Sequence, residues 1–265
     1  MGKMKWSSSH RRDGLGGLGS ALLAGVLLFA AGCSGIHTML TPEAKRFVEE
    51  GEKLESEKKV KEAVAKFNSA IDADPNCVAA YQGLARCCDR LGALEEAESA
   101  LKRAVKLRPR DPELYHCLGV IYAKQGEFVE AVANLKRAVR YNSQNPRTHV
   151  FLGLVYFKQG KNKAAVREYQ KALRMDPECA EAYNNMGIVY GAMKQLEDAE
   201  AAYLKAEQAD PNYPDVHYNL GRFYDDVLPN KAEALRHYQR YLDITKQQDP
   251  KILQRMQEIL RENLR

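Results

Sequence analysis

Apolar and small positions recur along this chain with a period of 34 residues, and polar stretches separate them. One series of small residues comprises Gly51, Ala85, Gly119, Gly153, Gly187 and Gly221. Twelve positions later comes a series of alanines: Ala63, Ala97, Ala131, Ala165, Ala199 and, one residue late, Ala234. A fixed period of this length indicates a helical solenoid, in which each repeat buries its apolar face against its neighbours.

Each unit carries the apolar spacing of two helices. With the first small residue counted as position eight, the units begin at Ala44, Val78, Pro112, Pro146, Ala180 and Pro214. Bulky or apolar residues at positions four, seven and eleven share a helical face with position eight, because their spacings are three and four. A second helix has alanine at position twenty and a large residue at twenty-four: Phe67, Leu101, Leu135, Tyr169, Tyr203 and Tyr238. We expect the small residue at eight to meet the alanine at twenty, where the paired helices come closest.

Two segments, 115–122 and 183–190, read Tyr-His-Cys-Leu-Gly-Val-Ile-Tyr and Tyr-Asn-Asn-Met-Gly-Ile-Val-Tyr. They resemble the tetratricopeptide repeat pattern W-x2-L-G-x2-Y, which continues with A-x3-F and P. The resemblance implies an all-α fold, a right-handed superhelical α-solenoid of six helix-turn-helix repeats. It places the repeats at 44–77, 78–111, 112–145, 146–179, 180–213 and 214–248.

Departures from this pattern are local. Glu50 stands at position seven of repeat one, Ser143 replaces the helix-ending proline of repeat three, and repeat six has one extra residue in its 225–231 turn. After the last repeat, residues 249–265 show one apolar stripe: Ile252, Leu253, Met256, Ile259, Leu260 and Leu264. A solenoid exposes an apolar face at its end, so we predict a C-terminal capping helix here. A peptide-binding helix is the alternative.

The N-terminal residues predict export. Residues 1–12 are basic and residues 14–36 carry no charge, which is the pattern of a signal peptide, predicted at 1–32. The segment Ala-Ala-Gly-Cys that ends at Cys33 resembles the lipobox of bacterial lipoproteins, although Ala30 stands where that family usually has leucine. The resemblance implies lipid attachment at Cys33, a short tether at 33–43, the outer membrane, and repeats that face the periplasm. An uncleaved anchor is the alternative, because this uncharged stretch is long enough to cross a bilayer.

Composition narrows the choice of partner. The formal charge is +5, and Lys3, Lys5, Arg11, Arg12 and Asp13 contribute +3 of it, which leaves +2 after cleavage. A chain this close to neutral gives no case for nucleic acid. The remaining cysteines are Cys77, Cys87, Cys88, Cys117 and Cys179, an odd number without metal-ligand spacing. We therefore expect no cofactor, no metal site, no catalytic residue and no small-molecule substrate, and we interpret His149 and His217 as packed rings.

The surface expected to bind a partner is the concave one, lined by first-helix positions two, five, six, nine, twelve and thirteen. Asn185 and Asn219 stand at position six and resemble the asparagine ladder with which O-linked N-acetylglucosamine transferase and kinesin light chain hold a peptide backbone. Generic family consensus explains the pair equally well. Val120, Val150, Phe151, Leu154 and Phe157 form a predicted apolar floor, unless the next helix covers some of them. The predicted polar end in repeat six comprises Asp215, Tyr218, Arg222, Asp225 and Asp226.

These observations favour a non-catalytic scaffold that is anchored to a membrane and holds an extended or helical segment of another protein. The predicted architecture, a lipoprotein with six repeats, resembles the pilotins of type IV pilus secretins. This resemblance implies a role in pilus or secretin assembly. The alternative is a substrate-recruiting subunit of a separate envelope enzyme in cell-wall or glycosyl transfer.

Overall fold

The computed structural model describes residues 41–246 and 249–262. Within these ranges the chain forms thirteen α-helices, one π-helical segment and no strand. The first six helices are α1 (Pro42–Ser56), α2 (Val60–Ala73), α3 (Val78–Leu91), α4 (Leu94–Leu107), α5 (Pro112–Gln125) and α6 (Phe128–Tyr141). The next five are α7 (Pro146–Lys158), α8 (Asn162–Met175), α9 (Ala180–Ala192), α10 (Leu196–Ala209) and α11 (Pro214–Arg222). The π-helical segment (Phe223–Val227), α12 (Lys231–Thr245) and α13 (Pro250–Glu262) follow.

The helices pack as six consecutive pairs. Each odd-numbered helix from α1 to α11 packs against the helix that follows it, and each pair packs against the next. Helix α13 packs on α12 and buries Ile252 and Ile259 in the last apolar cluster. The predicted all-α solenoid of helix-turn-helix repeats is confirmed.

The closest contact within each pair of helices involves a different residue from the one predicted. A Cβ atom added to Gly153 would lie 2.5 Å from Cε1 of Tyr169, and one added to Gly187 would lie 2.6 Å from Cδ1 of Tyr203. The glycine at position eight therefore makes room chiefly for the large residue at position twenty-four, rather than for the alanine at twenty. The physical reason is size: a ring or a leucine fills the space between the two helices, and only a hydrogen at position eight leaves enough of it.

The turn between the two helices of a repeat recurs with the same period of 34 residues in the first five repeats. Lys58, Gly92, Gly126, Gly160 and Lys194 all have positive φ, between 61° and 83°. This left-handed conformation ends the first helix, and glycine adopts it without the steric cost that lysine carries.

The turn between repeats explains why Ser143 replaces proline without a change in fold. The backbone N–H of Gln144 donates to the side-chain oxygen of Asn142 at 3.0 Å. The same local bond occurs between Asn212 and Asp210 at 2.8 Å, on either side of the usual proline. An aspartate or asparagine at this place closes the turn through its own side chain, so proline is dispensable.

Repeat six absorbs its extra residue in the π-helical segment, which contains Asp225. The Asp225 side chain is buried and accepts hydrogen bonds from Arg255 of α13 and Lys231 of α12, each at 2.7 Å. The prediction that Asp225 belongs to a polar end of the groove is therefore wrong. It joins the last repeat to α13.

Several predictions concern residues outside the described ranges. They are the signal peptide at 1–32, the lipid site at Cys33 and the tether up to residue 40. Of the helices that the structure describes, none has the length and apolar character that a membrane crossing requires.

Candidate functional site

A cavity of about 360 Å³ opens between α3, α5 and α7, the first helices of repeats two to four. We call it the groove. Its polar and apolar lining comprises Gln82, Arg86 and Asp89 from α3, Glu113, His116, Cys117 and Val120 from α5, and Arg147 and Phe151 from α7. The period of 34 residues produces this arrangement, because it places the same helical positions of consecutive repeats side by side.

The floor of the groove is uncharged. The His116 ring lies 3.1 Å from the Thr148 hydroxyl through Nδ1, and the Phe151 ring meets it edge-on with 5.1 Å between centroids. Burial lowers the pKa of His116 and raises the pKa of Cys117 to about 11, where Glu113 adds to the effect on the thiol. At neutral pH the floor therefore presents a neutral imidazole, a protonated thiol and the side chains of Val120 and Phe151.

Three ion pairs connect the charged residues of α3 to neighbouring repeats. The Arg86 guanidinium donates to the buried carboxylate of Glu55 at 3.0 and 3.3 Å, and Arg90 approaches the same carboxylate at 3.4 Å. Lys124 Nζ lies 2.5 and 2.7 Å from the two Asp89 oxygens. These contacts join neighbouring repeats and use up the charges on this wall.

Two other charged residues of the groove, Glu113 and Arg147, are not paired in this way. Both line the groove and both are exposed, yet neither forms an ion pair with another described residue. The one side-chain contact of Glu113 in the described part of the chain is a long one, 3.9 Å from Cys117 Sγ. The groove thus combines an uncharged floor with an anion and a cation at the N-terminal ends of α5 and α7.

Sequence models of a known repeat family match several segments of the chain. Models described as TPR repeat match residues 121–160 and 153–194, and models described as tetratricopeptide repeat match 54–118 and 180–213. Together these segments cover more than half of the chain. The chain belongs to the tetratricopeptide repeat family. No curated protein sequence matches it.

Solved structures share this tetratricopeptide repeat fold at low sequence identity. PilW, a widely conserved type IV pilus biogenesis factor, matches 83% of this chain and 99% of its own at 16% identity, with a TM-score of 0.71. A chain of the APC/C hetero-tetramer Cut9–Hcn1 matches 82% of this chain at 21% identity and a TM-score of 0.69, but this chain spans only 43% of that one. YrrB, a TPR protein with an unusual peptide-binding site, matches 66% of this chain and 91% of its own at 22% identity and a TM-score of 0.54.

The predicted apolar floor is partly assembled by these repeats. Val120 and Phe151 line the groove. Leu154 and Phe157 are half-buried on the same helix as Phe151 but do not line the cavity, and Phe157 packs against an apolar cluster of repeats four and five. Val150 is 3% exposed and belongs to that cluster, so its placement on the floor is wrong. The neighbouring repeat covers it.

Asn185 and Asn219 stand one repeat apart, and they form no hydrogen bond with each other in the described chain. Asn219 Nδ2 instead donates to Oδ1 of the buried Asn184 at 2.9 Å. Asn185 is half-buried beside it. The asparagine ladder stays a prediction, with one of its two amides already engaged inside the protein.

Tyr218 and Arg222 lie on α11, and neither lines the groove of repeats two to four. The Tyr218 ring packs against Tyr241 with 5.6 Å between centroids, and Arg222 approaches Asp226 at 3.7 Å. Both side chains are exposed, so they stay candidates for a second contact region on repeat six.

Four groove residues were not predicted to contact a partner, although their positions belong to the predicted concave surface. Glu113 and Arg147 stand at position two, and His116 and Cys117 stand at positions five and six. These helical positions are the signal that identifies them.

Proposed function

We propose that this protein is a lipoprotein scaffold, attached to the membrane through Cys33, which holds a segment of an envelope partner in the groove. The single observation that carries the proposal is the groove that combines an uncharged floor with Glu113 and Arg147, two charges without ion-pair partners in the described chain. The tetratricopeptide repeat fold supports it, because this fold is a typical non-enzymatic scaffold for protein–protein interaction.

The groove chemistry specifies the segment that fits. An apolar side chain of the partner would bury against Val120 and Phe151. A basic residue of the segment would face Glu113, and an acidic residue would face Arg147. Such a segment would satisfy both charges while it shields the floor from water.

For the pathway, we propose type IV pilus or secretin assembly at the outer membrane, with the repeats in the periplasm. The likeness in fold to PilW supports this choice. The decisive experiment removes the gene and examines the secretin in membranes. We expect monomers in place of multimers, and normal multimers would end the pathway proposal.

A matched pair of substitutions tests the groove itself. Val120→Glu places a charge on the floor, whereas Val129→Glu makes the same change at a side chain that is 72% exposed on α6. Loss of the apolar contact of one valine removes about 1.5–3 kcal/mol, which weakens binding about ten- to hundredfold. In the deletion strain, Val129→Glu should restore secretin multimers and Val120→Glu should not. Equal rescue by both folded variants would show that the groove is not the binding surface.

Processing has an independent test. Trp6 is the only tryptophan and lies in the predicted signal peptide. Protein purified from membranes should lack tryptophan fluorescence, and its mass should equal that of residues 33–265 plus acyl groups. Retained Trp6 would refute cleavage at Cys33 and favour the uncleaved anchor.

A further inference from the structure

Three potential metal ligands converge between the last two repeats, away from the groove. Glu207 lies on α10, His217 on α11 and His237 on α12. The Nδ1 atoms of the two histidines are 3.2 Å apart, and Glu207 Oε1 lies 3.9 and 4.0 Å from them. In the described part of the chain this is the one set of three such residues whose ligand atoms all lie within 4.8 Å of one another.

The tautomer of His217 is fixed by its neighbour. His217 Nε2 lies 3.0 Å from the carbonyl oxygen of Pro211, which can only accept, so Nε2 carries the proton. Tyr115 makes the equivalent bond in repeat three, from its hydroxyl to the carbonyl of Pro109 at 3.0 Å. The Nδ1 lone pair of His217 is therefore free to accept a proton donor or to bind a cation. A backbone carbonyl on the far nitrogen is also the usual support for a metal-bound histidine.

His237 completes either arrangement. Without a metal, its Nδ1–H donates to His217 Nδ1, and its Nε2 accepts from Arg236 at 2.8 Å. With a metal, the proton sits on Nε2 and can donate to Glu233, whose Oε2 lies 3.7 Å away. Arg236 Nη2 must then turn away from Nε2, because both groups would be donors, while Arg236 Nε can keep its contact with Glu233 at 2.8 Å.

The ligand spacing fits a tetrahedral ion. Zinc–nitrogen bonds of about 2.0–2.1 Å place two ligand nitrogens about 3.3 Å apart at a tetrahedral angle. The two Nδ1 atoms are already 3.2 Å apart, and a small rotation of the half-exposed Glu207 side chain would bring its carboxylate into the same sphere. A cavity of about 300 Å³ reaches His217 and Glu207 from the surface and is also lined by Pro211, Arg236, Gln239, Arg240 and Asp243.

We propose that Glu207, His217 and His237 bind Zn²⁺, with water from this cavity as the fourth ligand. Two nitrogens and one carboxylate oxygen with an open position suit this ion. The three ligands come from three helices, so the ion would tie repeat six to repeat five and stabilise the C-terminal end of the solenoid. The sequence spacing hides the set because no two of these residues lie on one helix.

The test uses the full chain in detergent, treated with chelator and then titrated with Zn²⁺ by calorimetry. We expect one equivalent to bind and the melting temperature to rise with zinc concentration. Glu207→Gln keeps the shape of a half-exposed side chain and removes a ligand, so it should weaken binding about tenfold or more. Absence of one-equivalent binding to the folded protein would overturn the proposal.

The matched control is Glu168→Gln in repeat four. Glu168 also pairs with a buried histidine, at 2.8 Å from His149 Nδ1, but without a second histidine. This variant should bind zinc as the parent does. Absorption spectra with Co²⁺ in place of Zn²⁺ identify the type of ligand atom. Nitrogen and oxygen ligands give only visible bands, whereas a cysteine ligand adds an intense near-ultraviolet band. Such a band would assign the ion to a cysteine and refute the site. Equal loss of affinity in both glutamine variants would refute it as well.

Discussion

Tyr169 offers a sharp test of how the paired helices are packed. Its side chain is 0% exposed, and its ring fills the space opposite Gly153. Its hydroxyl has no hydrogen-bond partner among the described residues, and burial raises its pKa. A buried hydroxyl without a partner costs about 1–3 kcal/mol of desolvation. Tyr169→Phe removes that cost and keeps the ring, as Phe67 does at the same position of repeat one, so the free energy of unfolding should rise by about 1 kcal/mol.

The matched substitution has the opposite expected sign. Tyr238 occupies the same repeat position, but its hydroxyl donates to Asp225 Oδ2 at 3.4 Å. Tyr238→Phe loses this bond and should lower stability by about 0.5–1 kcal/mol. Urea unfolding followed by far-ultraviolet circular dichroism measures both changes. A loss of stability in Tyr169→Phe similar to that in Tyr238→Phe would show that the Tyr169 hydroxyl is satisfied, and the reasoning would fail.

Three further predictions follow from single residues. Lys194→Gly should raise the urea midpoint, because φ at this position is 61° and a left-handed residue with a side chain costs about 1–2 kcal/mol. Gly153→Ala should destabilise, since its new Cβ would lie 2.5 Å from the Tyr169 ring and overpacking of about 1–3 kcal/mol exceeds the gain in helix propensity; an unchanged midpoint would contradict this. Arg255 and Lys231 hold the pKa of Asp225 near 2, below its unfolded value, so about 2 kcal/mol of stability should be complete above pH 4 and disappear as the pH falls towards 2. Hydrogen exchange in α13 measures the loss, and Asp225→Asn should abolish the pH dependence.

The repeat pattern predicted the helix pairs well because it reports packing directly. A small residue at position eight and a large one at twenty-four must meet in every pair, so their spacing in the chain reproduces their spacing in the solenoid. The pattern predicted the turns less well. Lys58 and Lys194 adopt the same left-handed conformation as Gly92, Gly126 and Gly160, although lysine as a residue type does not predict it. The prediction comes instead from their separation from those glycines by multiples of 34 residues.

The groove was only partly predictable because exposure depends on the neighbouring repeat. Val150 and Phe151 are adjacent in the chain, yet one is in the core and the other lines the groove. Charge pairing is equally non-local: Arg86 pairs with Glu55 from the preceding repeat, whereas Arg147 forms no ion pair within the described chain and only acts at longer range on Glu181 of the next repeat. Position along a helix predicts which side chains can face the groove, and contact with the neighbouring repeat decides which of them do. It does not predict which of them still have unsatisfied charge.

Asp225 shows how position twelve of a repeat joins it to the next element of the solenoid. Arg222 precedes the π-helical segment and is exposed, whereas Asp225 lies within it and is buried against α13. Glu55 stands at the same position twelve of repeat one, within an ordinary α-helix, and it is likewise buried and paired with Arg86 of the next repeat. The buried carboxylate that holds α13 therefore follows from its position in the repeat, and the inserted residue is not needed to explain it.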